Sequence, residues 1–137
     1  MSRRELREQI FKMLFRIEFH EGMEMEEQMR LFLEEEEEIS KEDSEYIRNK
    51  YENIVEHLEE IDASINEKAK GWKTSRMAKV ELSLIRLAVY EIQYDEDIPA
   101  GVAINEAVEL AKKYCNEKAA PFINGVLSKI GQDMDEE

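Results

Sequence analysis

Apolar residues recur at helical spacing along nearly the whole chain. Leu6, Ile10, Met13, Leu14 and Ile17 share one side of a helix expected over 3–20, and Ser2 with Glu5 three residues later has the form of a capping box. Gly22 ends that segment. Met25, Met29, Phe32 and Leu33 mark a short second helix that runs into five consecutive acids, Glu34 to Glu38, read as a solvated stretch. Ser40 with Asp43 offers another cap, after which Ile47, Tyr51, Ile54, Val55, Leu58 and Ile61 line one face of a long helix over about 41–60. Ile61, Ile65 and Ala69 continue in a shorter helix that stops near Gly71. Thr74 or Ser75 then caps a helix over about 76–94 that is apolar nearly all round, so its expected place is the middle of a bundle. Asp95 to Pro99 interrupts it, and Val102, Ala103, Ala107, Leu110, Ala111 and Tyr114 make a helix over about 100–114. Pro121 at a first turn opens the last helix, with Phe122, Ile123, Val126, Leu127 and Ile130 apolar. The acidic tail 133–137 is expected to be disordered.

With prolines only at 99 and 121 and almost no glycine between 23 and 70, there is no strand-and-turn rhythm, and the class is all-α. A chain of 137 residues fits one compact domain and can bury an ordinary core without disulfides or a structural metal. Its single cysteine, Cys115, cannot pair within the chain, which favours a reducing, cytoplasmic setting. No apolar run approaches the roughly 18 residues of a membrane span, and charges interrupt the apolar positions of the first segment, so neither a signal peptide nor a membrane anchor is expected.

The net charge of −14 is unevenly spread. Residues 1–20 hold five basic side chains against three acidic ones, 21–62 hold four against seventeen, and 63–137 hold ten against thirteen. Such an excess of acid argues against a nonspecific nucleic-acid binder. A local basic patch still acts on its own, because charges more than about 8 Å away are largely screened at physiological salt. Arg3, Arg4 and Arg7 form such a patch. On a helical wheel Arg3, Arg7 and Lys12 lie away from the centre of the apolar stripe, which predicts that they are solvated.

Catalytic and metal chemistry find little support. His20 and His57 are the only histidines, no His-Glu-x-x-His or phosphate-binding glycine loop occurs, and one cysteine cannot supply a zinc site. Carboxylate pairs are inevitable among 33 acids and single out no site. Cys115 has no histidine near it in sequence and reads as a packed or half-exposed thiol. The expectation is a non-enzyme without cofactor or metal.

Three blocks together resemble the NusB family of transcription antitermination factors. They are the opening Arg3-Arg4-Glu5-Leu6-Arg7-Glu8 with Phe15 behind it; Ile85-Arg86-Leu87-Ala88-Val89-Tyr90-Glu91 followed by Ile98-Pro99; and Val102 to Lys112 (VAINEAVELAK) with Phe122-Ile123-Asn124-Gly125-Val126-Leu127 after it. The resemblance implies about seven helices in two packed bundles, an N-terminal one over about 1–70 and a C-terminal one over about 71–132. It implies a partner, the small-subunit ribosomal protein NusE, with which such proteins bind boxA RNA. It further implies an elongation complex in which RNA polymerase, with other Nus factors, reads through terminators, notably in ribosomal RNA operons. Monomer and homodimer both stay open.

Within that frame Arg3, Arg4 and Arg7 suit phosphates through charge-assisted hydrogen bonds. Phe122 has two readings, a stacking platform for an unpaired base or a core side chain of its helix. Lys118, Lys112 and Lys113 either touch phosphates or stand solvated. Glu81 is the candidate for the NusE-facing surface by analogy with the family. Asn105 and Glu106 are read as tying helices together or capping a neighbouring backbone, Asn124-Gly125 as a place where two backbones come close, and Arg86 as the partner of a buried or half-buried acid. Pro121 stands where the family usually has a basic or small polar residue, which removes a phosphate contact and predicts weak RNA binding alone and tighter binding with NusE. The competing reading is a protein-only helical module whose acidic face meets a basic partner.

Overall fold

The computed structural model describes residues 1–17, 39–69 and 73–135. Among them are six α-helices, one 3-10 turn and no strand: α1 (Arg3–Ile17), α2 (Lys41–Glu56), α3 (Leu58–Lys68), the turn Thr74–Arg76, α4 (Lys79–Tyr94), α5 (Ala100–Tyr114) and α6 (Ala119–Asp135). The all-helical class is the one the pattern predicts. The helix expected around 25–33 and the run Glu34 to Glu38 lie outside the described residues. No helix among the described residues is long and apolar enough to cross a membrane.

The chain divides into two compact units, Met1–Val55 and Glu56–Glu137. The division falls earlier than residue 70 because α3 packs on α4 and α6, within the second unit.

In the first unit both serines cap as their spacing predicts. Ser2 Oγ accepts from the Glu5 N–H and Ser40 Oγ from the Asp43 N–H, each at 3.1 Å. The amino-terminal ammonium donates to Asp43 Oδ2 at 2.9 Å. Leu6, Ile10, Phe11, Met13 and Leu14 are buried on α1, and Ile47, Tyr51 and Ile54 on α2. Each such side chain contributes roughly 1.5–3 kcal/mol, far more than the surface pair Lys12–Glu8, whose charged atoms stand 3.8 Å apart. Burial also pushes the Tyr51 phenol up to about 12.

Helix α2 does not run to residue 60. It stops at Glu56, and His57 adopts φ −99°, ψ 12° before α3 begins. The His57 ring lies 4.3 Å, centroid to centroid, from Tyr94, which itself stacks on Tyr90 at 5.6 Å. This aromatic packing marks the chain's entry into the second unit.

There α4 occupies the centre, with every residue from Leu82 to Glu91 buried and with α3, α5 and α6 packed around it. Its polar groups are satisfied internally. Ser83 Oγ donates to the Lys79 carbonyl at 2.8 Å, and Gln93 Nε2 donates to Ser64 Oγ at 3.1 Å. Arg86 grips Asp62 with two bonds, Nε to Oδ1 at 2.9 Å and NH2 to Oδ2 at 2.8 Å, which is the half-buried acid expected for it. Ala103, Ala107 and Ala111 are buried along α5. A Cβ on Gly131 of α6 would stand 3.7 Å from Ile104 Cδ1 and 3.8 Å from the Ala100 Cβ, so small residues let these two helices meet closely.

Four local expectations are corrected. Thr74 and Ser75 do not cap α4; they form the 3-10 turn, and the chain extends through Met77 and Ala78, burying Met77, before α4 starts at Lys79. Helix α6 starts at Ala119 instead of at Pro121, because Asn116 caps it: Asn116 Oδ1 accepts from the Lys118 and Ala119 N–H groups at 3.0 and 3.1 Å. Pro121 sits in the first turn, where its missing N–H costs no helical bond. Helix α6 also continues to Asp135, into the segment expected to be a disordered tail. Finally, Gly125 brings no backbones together, since a Cβ there would meet nothing within 4 Å.

Candidate nucleic-acid interface

The first turn of α1 presents Arg3 and Arg4 to solvent. Arg7 is different. It is only 7% exposed, against the prediction that it is solvated. The wheel centred on the aliphatic residues left out Phe11, which is buried; Arg7 lies one turn before Phe11 and two before Leu14, so it falls inside the wider buried arc. Lys12, with its ammonium 3.8 Å from Glu8, is part-exposed.

The second set of predicted residues lies around the turn between α5 and α6. Lys118 is exposed at the residue before α6, with its backbone N–H held by Asn116. Phe122, four residues on, is half-buried, between its two expected readings. Lys112 reaches Glu109 at 3.2 Å, and the Lys113 ammonium stands 5.4 Å from the centre of the Tyr114 ring, so both are engaged locally. Cys115 is half-buried. Burial, and secondarily the charge of Glu81, raises its thiol pKa, which disfavours the thiolate. Glu81 itself is half-buried in the first turn of α4. Asn105 is exposed, so it does not tie helices together, while Glu106 is half-buried and engaged.

Two features were misread or missed in the sequence. One is Gly125, exposed in the middle of α6, where glycine costs roughly 1 kcal/mol against alanine and no neighbour requires it. The other is a basic turn. Lys73, Arg76 and Lys79 are all exposed, and the signal was in plain view, since no acid occurs between Glu67 and Glu81. Among the described residues no three His, Cys, Asp or Glu side chains group as metal ligands.

The fold and these surfaces define a small all-helical protein that presents exposed cations, and one half-buried aromatic, at the starts of its helices. The NusB family model matches residues 4–132, and the chain belongs to the NusB family. Over 130 residues it is 55% identical to the transcription antitermination protein NusB of Agathobacter rectalis, covering 95% of this chain and 99% of that protein. It is 48% identical over 130 residues to the transcription antitermination protein NusB of Lachnoclostridium phytofermentans, covering 95% and 98%. Among solved structures, T. maritima NusB matches with a TM-score of 0.86 at 36% identity over 97% of this chain and 92% of that one. A crystal structure of the antitermination factors NusB and NusE in complex with dsRNA matches with a TM-score of 0.84 at 32% identity over 96% of each chain.

Proposed function

We propose that this chain is a transcription antitermination factor that binds boxA-type single-stranded RNA together with NusE. Within the elongation complex, with other Nus factors, it helps RNA polymerase read through terminators, notably in ribosomal RNA operons. The family match over residues 4–132 carries this reading, supported by the likeness to a NusB solved with NusE and RNA. In this role the protein is a cytoplasmic adaptor and not an enzyme; recognition rests on hydrogen bonds, stacking and charge.

Arg3 and Arg4 supply phosphate contacts from the first turn of α1, while Arg7 adds positive potential from its buried place. Lys118 supplies a further phosphate contact, and the exposed part of Phe122 offers a face for one base. Glu81 faces NusE. RNA binding is weak for the chain alone and tightens with NusE, because two surfaces then share one strand.

Titrating labelled boxA RNA with the chain, with and without NusE, tests this. The expected result is sequence-dependent binding that NusE strengthens; negligible affinity in both cases, or none beyond that for scrambled RNA, would reject it. Arg3→Glu with Arg4→Glu should weaken binding about tenfold and flatten the salt dependence by about one unit per lost phosphate contact. An unchanged slope removes those residues from the site.

A further inference from the structure

We propose that the basic turn Lys73–Lys79 is a second, sequence-independent contact for the RNA backbone, holding the strand that flanks the boxA-type element; this rests on the RNA-binding reading above. Lys68, Lys70, Lys73, Arg76 and Lys79 follow one another with no acid among them, in a chain that has 33 acids. Of these, Lys73, Arg76 and Lys79 are exposed. The 3-10 turn Thr74–Arg76 is a single turn, with the extended Lys73 just before it and Arg76 at its end.

The turn is held in shape from within. The Arg76 N–H donates to the Lys73 carbonyl at 2.8 Å, and the Thr74 N–H donates to Asn66 Oδ1 of α3 at 2.8 Å. Met77 anchors the following residue in the core. Glu67 stands 3.7 Å from Lys68, before the exposed Lys73 and Arg76. Helices α4 and α5 pack on each other across the short connection 95–99 and so run antiparallel, which puts the α5–α6 turn, with Lys118, at the same end of the second unit as the start of α4. A strand seated on Lys118 and Phe122 therefore has a run of cations beside it.

The chemistry selects the phosphate backbone. Residues 73–79 carry no aromatic side chain to stack on a base and no amide side chain to read a base edge, only cations and small or apolar groups. Their contribution is charge neutralisation, which is insensitive to sequence and steep in salt.

The test compares a boxA RNA with the same RNA extended by unstructured uridines, each titrated with the chain plus NusE. For the unaltered protein the extension should tighten binding about tenfold at low salt. The variant Lys73→Glu with Arg76→Glu should lose that gain, and its salt slope on the long RNA should fall by about two, while its affinity for the short RNA stays within about twofold. Lys41→Glu with Arg48→Glu, the same change of net charge at exposed positions on α2, should keep the gain. Circular dichroism confirms that all variants fold. An extension that adds nothing, a gain that survives in the double variant, or a double variant that loses NusE while keeping the gain would each overturn the proposal; the last would make this a protein-binding surface. Failure of the unaltered protein to bind even the short RNA would instead sink the reading beneath it.

Discussion

The opening of α1 and the turn before α4 both collect basic side chains, yet only the first gives one of them to the core. Helix α1 must bury a face made by Leu6, Ile10, Phe11 and Leu14, and Arg7 lies within that arc at 7% exposure, with Glu5 and Glu8 set among the arginines. The turn Thr74–Arg76 is too short to own a buried face, so Arg76 and the flanking Lys73 stand in solvent, as does Lys79 at the start of α4. The number of cations in a segment is thus a poor guide to the number available to a partner. An amphipathic helix consumes some of them; a short turn keeps them all outside.

The contrast is most directly broken at Arg7. Arg7→Ala should lower stability by about 2 kcal/mol, because the buried stem and charge lose their packing and partners. Arg3→Ala and Lys73→Ala should stay within about 0.5 kcal/mol. Urea unfolding measures all three, and equal losses at Arg7 and Arg3 would erase the distinction.

A milder form of the comparison uses two uncharged positions on one helix. Gly131→Leu should cost about 1–2 kcal/mol, since the extra atoms meet Ile104 and Ala100 of α5. Gly125→Ala should instead stabilise by about 0.5–1 kcal/mol, because its Cβ enters open space and the helix gains propensity. Thermal unfolding of both variants would sharpen the difference between core-facing and solvent-facing sites, and a loss at Gly125 would contradict it.

The smallest effect is at Tyr51. Its phenol titrates near 12 in the folded protein against an ordinary 10, so the native state keeps a proton that the unfolded chain releases. The stability involved is fully present below pH 10 and is lost as pH rises towards about 12, on the order of 1 kcal/mol. Unfolding curves for the protein and for Tyr51→Phe should diverge only above pH 10; parallel curves throughout would deny the burial effect.

What could be read from the sequence follows from how local each cause is. Ser2 and Ser40 were legible as caps because the acceptor and donor lie three residues apart. The pairing of Arg86 was legible because a guanidinium amid apolar neighbours must find an acid, although that this acid is Asp62 depends on how α3 meets α4. The break at His57 was hidden because Ile54, Leu58 and Ile61 keep helical spacing straight across it, and the ring stacking that marks it comes from Tyr94, far along the chain. The start of α4 was misplaced because Thr74 and Ser75 have capping chemistry but the burial of Met77 prevails. At the candidate site, Arg3 is exposed as the wheel predicts and Arg4 and Lys118 are exposed as well, whereas the burial of Arg7 depends on Phe11 joining the core.

The Asn116 cap has a thermodynamic consequence for any strand that docks beside it. With the Lys118 and Ala119 N–H groups already held by its side chain, the platform carrying Lys118 and Phe122 exists before association. The loss of conformational freedom then falls mainly on the nucleotides, so a transcript whose bases are already stacked in the bound geometry is captured at less entropic expense than a slack one.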